Sequence, residues 1–235
     1  MPADRAPPRP LPGSGAVIGG ADHLGSRYSG PAGCRLCDDP TVISIRFRPA
    51  GSADAELIAR LHADSWRRHY RGVYTDAFLD GDLLEDRRSV WTARLADPAD
   101  QADPADQDDR AGSATVLAES DAGPVGFVHV ALDQDPRWGS LVDNLHVVFD
   151  RKRSGVGTAL MIEAARIIAE RADRRAMYLW VLEQNTAAQG FYRAVGGQQA
   201  ERAPVPSPGG VPGRLNGAPV MIRFAWPDAV VAAAG

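Results

Sequence analysis

A turn that contains two glycines separates a predicted strand from a predicted helix in the second half of the chain. The strand is read from the apolar and β-branched run SLVDNLHVVF, the turn is DRKRSGVG, and over residues 158–171 apolar residues recur at helical spacing. This succession directs unpaired backbone N–H groups and the positive end of the helix dipole toward one point. Lys152 and Arg153 add positive charge there, so the turn is predicted to bind a phosphate group.

The spacing of the two turn glycines can be compared with that of known phosphate loops. Gly155 and Gly157 do not fit the GxxxxGK[ST] pattern of a Walker loop, and the GxGxxG dinucleotide pattern requires a third glycine where Leu160 stands. Neither glycine carries a Cβ that would hinder the approach of an anion to the main chain. A helix start with exposed basic residues would produce the same hexamer, so the hexamer alone leaves both interpretations open.

Periodicity elsewhere predicts an α/β domain. Ser52 is expected to cap the first helix, which follows a strand that contains Val42, Ile43, Ile45 and Phe47 and stops at Pro49. Further strands are expected at 113–120, 124–133, 141–149, 176–182 and 218–226, and further helices at 83–95, 158–171 and 185–195. This order of elements describes a mixed central sheet of about six to seven strands, flanked by about four helices.

The chain is expected to form one domain with two tails. Its 235 residues are long for one domain and short for two. Residues 1–41 are rich in Pro and Gly and lack apolar periodicity, so this tail is predicted to be disordered. The domain is expected over 42–228, followed by a short tail, 229–235. Within it, residues 96–112 contain the repeat ADPADQ and are predicted to form an Asp-rich, solvated loop.

Composition argues against several function classes. A net charge of −4 offers no electrostatic basis for binding nucleic acid or an anionic membrane surface. No run of about 18 apolar residues is present for a transmembrane helix, and the N-terminus lacks the apolar segment of a secretory signal, so we expect a cytoplasmic protein. Cys34 and Cys37 have no second ligand pair at zinc spacing, so no metal is expected.

The turn KRSGVG resembles the (Arg/Gln)xxGx(Gly/Ala) pyrophosphate loop of the GNAT superfamily of N-acetyltransferases, with Lys152 in place of the usual Arg or Gln. Upstream, LHVVF resembles the fourth strand of that family, in which Leu145 and Val147 bracket a bulge. Downstream, LWVLEQNTAAQGFYRAVGG resembles the segment that contains its fifth strand, an Asn and the FYxxxG pattern. Asn185 and Tyr192 stand at the expected places in this segment.

The resemblance covers about residues 42–227 and implies a GNAT fold that uses acetyl-CoA as co-substrate, without a metal. Acetyl-CoA would lie in a V-shaped slot between two parallel strands, 141–149 and 177–182. Main-chain groups of Leu145 and Val147 would pair with the pantetheine arm, and an amide near Val147 would polarise the thioester carbonyl. The pyrophosphate would be bound at the turn, by Lys152, Arg153, Ser154, Gly155, Val156, Gly157 and Thr158.

The resemblance also implies direct attack of a primary amine on the thioester in a ternary complex. Such a reaction needs positioning and proton transfer but no covalent nucleophile. Tyr192 is the candidate acid for the departing CoA thiolate, since a phenol with pKa near 10 can protonate a thiolate whose conjugate acid has pKa near 8.5. The alternative to this catalytic role is a structural one, in which Tyr192 packs the helix against the core beside Phe191.

The sequence does not decide which group acts as the general base. Many family members carry a Glu where this chain has Leu141. Asp143 shares strand parity with Leu145 and is therefore expected to face the slot, while Glu183 at the strand end, His146 and a water chain are alternatives. His146 alternates to the other face and is expected either to pack or to lie at the surface.

Asn185 is expected both to cap the following helix and to contact CoA. By resemblance, Trp66, His69 and Tyr70 on the first helical segment would border the acceptor pocket. A Trp at helical spacing is as readily explained by core packing, and that interpretation stays open.

Two further function classes compete with the transferase. One is a catalytically weak GNAT-fold sensor of acyl-CoA, suggested by Lys152 and by the missing Glu of strand four. The other is a nucleotide-binding or dehydrogenase domain, which would be protected by ATP or NAD. For a transferase, the expected partner is a small-molecule or protein amine, with a cationic amine or a protein N-terminus both open, and a homodimer is possible.

Overall fold

The computed structural model describes residues 44–96 and 112–231. Several predicted features lie outside these ranges. They are the tail 1–41, the Cys34 and Cys37 pair, the strand residues Val42 and Ile43, and residues 97–111 of the Asp-rich loop.

Alternating β-formers and amphipathic stretches form seven strands and five α-helices in the described part of the chain. The elements are β1 (Arg46–Pro49), α1 (Ala55–His69), α2 (Asp76–Asp80), α3 (Leu83–Leu95), β2 (Ser113–Ser120), β3 (Gly123–Asp135), β4 (Gly139–Val147), α4 (Val156–Arg171), β5 (Met177–Leu182), α5 (Thr186–Ala194), β6 (Gln198–Pro204) and β7 (Val220–Trp226).

The seven strands form one sheet in the order β1-β2-β3-β4-β5-β7-β6. All neighbouring strands are antiparallel except β4 and β5, which are parallel because α4 connects them across one face of the sheet. The predicted mixed α/β sheet of six to seven strands is therefore confirmed. Its helices are one more than expected, since the five-residue α2 has too few apolar positions to show a helical period.

The parallel strands β4 and β5 pair at only two positions, Ser140 with Met177 and Leu141 with Tyr178. Immediately beyond them, β4 carries a bulge toward β3. Val142 pairs with Val130 and Asn144 with His129, which leaves Asp143 as the extra residue. A bulge bends its strand and increases the local twist. The two strands consequently diverge toward their carboxyl ends and leave a slot at the start of α4.

Helices cover both faces of the sheet. On one face, α4 and α5 bury Leu160, Met161 and Phe191 against Val142 and Leu145. On the other face, α1 and α3 pack in two clusters, which contain Ile58, Trp66, Tyr70, Leu83, Trp91, Phe127 and Leu141. The slot between β4 and β5 therefore lies between two packed layers, and side chains from either layer can line it.

Two local predictions were wrong. Ser52 does not cap α1: it begins a short 3-10 turn, and the carboxylate of Asp54 accepts a hydrogen bond from Gly51 N–H at 2.9 Å instead. Strand β6 was not predicted, because its sequence QQAERAP is polar and mostly exposed. An edge strand needs one partner only, here β7, so backbone pairing forms it without an apolar pattern.

Gly139 is the first residue of β4, next to the point where β4 pairs with β5. Its φ of +78° is unfavourable for other residues, and an added Cβ would clash with the carbonyl oxygen of Ala176. We expect Gly139→Ala to lower the free energy of unfolding by about 3 kcal/mol, from left-handed strain and overpacking together. Urea denaturation measures this change.

Gly213→Ala is the matched control, since a Cβ added at this position would meet no atom within 4 Å. We expect this control to change the unfolding free energy by less than about 1 kcal/mol. Equal losses in the two variants would contradict the role assigned to Gly139.

Candidate active site

The turn before α4 forms an open cradle of backbone N–H groups. Gly155 is the residue before the helix and has φ +81°. The first helical bond runs from Ala159 N–H to the Gly155 carbonyl at 3.0 Å. The N–H groups of Val156, Gly157 and Thr158 consequently have no acceptor within the helix, as expected at any helix start. An added Cβ at Gly155 would meet no atom within 4 Å, so lack of space does not require a glycine here. The positive φ does, because residues with a side chain rarely adopt it.

Side chains of the turn surround this cradle without filling it. Ser154 Oγ donates to the Arg151 carbonyl at 2.6 Å, which tightens the turn. Arg153 is exposed and has φ +64°, a conformation uncommon outside glycine. The ammonium of Lys152 lies against α1, 2.9 Å from His69 Nε2.

The edge of β4 supplies main-chain groups to the slot. Leu145 is fully buried beneath α4, and Val147 is half-buried at the end of the strand. On the side of β5, no strand of the described chain pairs with β4 beyond Leu141. The predicted bulge between Leu145 and Val147 was misplaced, because both residues pair regularly with β3 and the bulge lies at Asp143.

Tyr192 of α5 is fully buried between Phe191, Phe224 and Trp226. Its hydroxyl has no hydrogen-bond partner among the described residues. Burial raises the pKa of this phenol well above its usual value, so it retains its proton at neutral pH. A buried, protonated and unpartnered hydroxyl can donate to a group that enters the site.

Asp143 was expected to face the same side as Leu145, and this is wrong. The bulge shifts the alternation by one residue, so Leu145 packs under α4 while Asp143 reaches the face covered by α1 and α3. There Asp143 Oδ2 lies 2.7 Å from Arg94 of α3 and accepts a hydrogen bond from Asn144 Nδ2 at 2.7 Å. The second oxygen, Oδ1, is buried and has no partner among the described residues.

Tyr70 directly follows α1 and is buried. Burial raises the pKa of Tyr70 well above its usual value, and Tyr74, Tyr192 and Asp143 raise it further. The Trp66 and Tyr70 rings are 5.1 Å apart, and both residues are buried in the cluster that also contains Leu141 and Tyr178, the last pair between β4 and β5.

Glu183 and Asn185 lie at the end of β5. Glu183 is partly exposed and forms an ion pair with Arg202 of the edge strand β6. Asn185 caps α5 as predicted, since its Oδ1 accepts a hydrogen bond from Ala188 N–H at 3.1 Å. Its Nδ2 is buried without a partner in the described structure. The Asn185 side-chain amide is therefore available as a donor on the β5 side of the slot, opposite β4.

Sequence reasoning missed a group of buried histidines between α1, α3 and β4. His62 Nδ1 accepts a hydrogen bond from Trp91 Nε1 at 2.9 Å, and His146 Nδ1 lies 2.8 Å from Ser65 Oγ. The two imidazoles are 4.7 Å apart. Burial lowers the pKa of His146 to about 3, with His69 and Arg87 contributing. His146 therefore packs in the core, as its strand parity indicated.

The described chain contains neither a metal-binding group of side chains nor a helix suited to a membrane. Among residues 44–96 and 112–231, no group of three or more His, Cys, Asp and Glu side chains is placed to hold a metal ion. Over the same residues, no helix is long and apolar enough to cross a membrane.

Comparison with known proteins assigns this geometry to a family. The sequence model described as the Acetyltransferase (GNAT) family matches residues 58–196, more than half of the chain. The chain is 28% identical over 149 residues to a protein of Mycobacterium tuberculosis named "Probable N-acetyltransferase", covering 63% of this chain and 77% of that protein.

Solved structures show the same fold. PaiA N-acetyltransferase from Thermoplasma acidophilum, solved in complex with coenzyme A, superposes with a TM-score of 0.56 at 16% identity, over 78% of this chain and 99% of that one. The YncA protein of Salmonella typhimurium, solved with its cofactor acetyl-CoA, gives a TM-score of 0.52 at 17% identity, over 83% and 98%. At these identities the likeness extends to the fold alone.

The buried histidines predict that acid destabilises the protein. His146 has a folded pKa of about 3 and an unfolded value near 6.5, so the unfolded state binds the proton first as the pH falls. Stability is therefore complete above about pH 6.5 and decreases below it. Between pH 7 and pH 5 this one residue should lower the unfolding free energy by about 2 kcal/mol.

Urea denaturation at both pH values measures the loss. His146→Asn should reduce it by about 2 kcal/mol relative to the unchanged protein, whatever the stability of the variant at pH 7. The same pH dependence in both proteins would contradict the assignment of a buried neutral imidazole.

Proposed function

This chain belongs to the acetyltransferase (GNAT) family and is an acyltransferase, and we propose that it transfers an acetyl or other short acyl group from acetyl-CoA to a primary amine. One observation carries this proposal. The only parallel pair of strands in the described sheet separates after two residue pairs, at the start of a helix with a glycine turn. The slot between β4 and β5 therefore opens beside the N–H groups at the start of α4.

Acetyl-CoA fits this arrangement in one orientation. Its pyrophosphate binds the N–H groups of Val156 to Thr158, where the helix dipole favours negative charge. The pantetheine arm then runs along the unpaired edge of β4, and its amides pair with main-chain groups of Leu145 and Val147. Asn185 Nδ2 contacts the cofactor from the side of β5. This places the thioester within the slot.

The reaction proceeds by direct attack. The amine nitrogen forms a bond to the thioester carbonyl carbon, an amide near Val147 stabilises the oxyanion, and the C–S bond breaks. Tyr192 gives its proton to the departing thiolate, since its hydroxyl is buried, protonated and without a partner in the described part of the chain. The proton lost by the amine goes to a base.

Asp143 is the stronger of the candidate bases. Its Oδ1 is buried and has no partner among the described residues, while Oδ2 is paired with Arg94. Glu183 lies at the end of β5, where it is partly exposed and paired with Arg202. We propose that Asp143 accepts the proton, directly or through water, while Trp66 and Tyr70 border the acceptor.

The sensor alternative is not favoured. A module without turnover would have no use for a proton donor, and the buried Tyr192 hydroxyl, which has no partner among the described residues, supports turnover. The acceptor is proposed as a small-molecule or protein amine, and the protein is proposed to act in the cytoplasm.

Removing the Tyr192 hydroxyl tests the proposed acid. For Tyr192→Phe we expect kcat to fall roughly 100-fold or more, the typical contribution of a general acid. The Kd for acetyl-CoA should stay within about 2-fold, because the hydroxyl is used only as the C–S bond breaks. Thiol release with an amine found by screening measures turnover, and calorimetry measures the Kd.

Tyr178→Phe is the matched control. Tyr178 lies on the opposite face of β5, over Arg223 at 4.6 Å, and should keep the full rate. Unchanged kcat in Tyr192→Phe would contradict the acid role, and no binding of acetyl-CoA to the unchanged protein would contradict the proposed function itself.

A further inference from the structure

Lys152, the first residue of the proposed pyrophosphate turn, contacts helix α1 through its side chain. Lys152 Nζ lies 2.9 Å from His69 Nε2 and 4.7 Å from the centre of the Phe149 ring. Arg68 lies on the same ring at 5.1 Å. These residues line a small pocket between the last turns of α1 and the end of β4, to which Ser65 and His146 also contribute. The contacts hold a long, flexible side chain in one place.

The hydrogen bonds of His69 fix its proton on one nitrogen. His69 Nδ1 lies 2.8 Å from the Ser65 carbonyl oxygen, which can only accept, so Nδ1 carries the hydrogen. Nε2 of the neutral ring then has a free lone pair and accepts a hydrogen bond from the Lys152 ammonium. Only the neutral ring can do this.

The surroundings keep His69 neutral. Burial lowers its pKa, and the positive charges of Lys152 and Arg68 lower it further, against opposing contributions from the Ser65 carbonyl and Asp64. His146, the other titratable group nearby, is itself neutral because burial lowers its pKa to about 3. The His69 ring is therefore an acceptor for Lys152 at physiological pH.

We propose that His69 is a positioning residue for the cofactor: it fixes the ammonium of Lys152, three residues before Gly155, so that the remaining N–H groups of this ammonium bind a pyrophosphate oxygen of acetyl-CoA. The inference rests on the proposed function. An ammonium has three donors, and His69 uses one of them. Because a free lysine side chain would have to be ordered on binding, fixing it beforehand increases affinity.

Two substitutions separate positioning from a merely structural role. In His69→Gln, Oε1 replaces Nε2 and can still accept from Lys152. In His69→Asn, the amide can still donate to the Ser65 carbonyl but no acceptor reaches Lys152. We expect His69→Ala and His69→Asn to raise the Kd for CoA roughly 5- to 10-fold, and His69→Gln to restore most of the affinity. A structural role through Ser65 would instead be rescued by Asn.

The measurement is calorimetric titration of the full chain with CoA and, in parallel, with pantetheine, which lacks the pyrophosphate. Binding of pantetheine should be the same in all His69 variants. In a Lys152→Ala background, His69→Ala should have no further effect on CoA binding, since the two residues act through one contact. In turnover, KM for acetyl-CoA should rise in His69→Ala and His69→Asn and return toward the original value in His69→Gln.

Three results would overturn the inference alone while CoA still binds the unchanged protein. They are equal losses for CoA and pantetheine, additive losses in the double variant, and rescue by Asn in place of Gln. If the unchanged protein binds pantetheine and CoA equally weakly or not at all, the proposed function fails and the inference fails with it.

Discussion

The interrupted pairing of β4 and β5 is the feature on which the other parts of the site depend. Two residue pairs are enough to join the halves of the sheet, with Gly139 packed against Ala176 at the join. The bulge at Asp143 then bends β4 away from β5. A fully paired sheet would use the β4 edge for hydrogen bonds to β5, and a pantetheine arm could not pair there.

The same bulge decides which side chains reach which layer. It directs Asp143 toward Arg94 and α3, and returns Leu145 to the apolar face under α4. Buried charge is tolerated at Asp143 because Arg94 and Asn144 stabilise one of its oxygens. The other oxygen, the Tyr192 hydroxyl and the Asn185 amide remain without partners in the described chain. Such groups are costly unless a ligand or water binds them, which supports the proposal that this part of the fold is a binding site.

Local patterns in the sequence predicted most of this fold, but strand register was beyond them. Leu160, Met161 and Ile168 recur at helical spacing, and α4 buries all three as expected. The family resemblance put the bulge between Leu145 and Val147, and period-two alternation carries no signal for an inserted residue that could have corrected this position. For the same reason the facing of Asp143 was wrong. The contact between His69 and Lys152 joins residues far apart in the chain, and no local pattern indicates it.

Hydrogen exchange of the full chain with and without acetyl-CoA tests most directly whether the slot holds the cofactor. If acetyl-CoA lies in the slot, exchange should slow at two separate places, Leu145 to Val147 and Val156 to Thr158, as their N–H groups bind pantetheine and pyrophosphate. The edge strand β6 should be unaffected. Unchanged exchange at both places, or protection confined to other parts of the chain, would contradict the account.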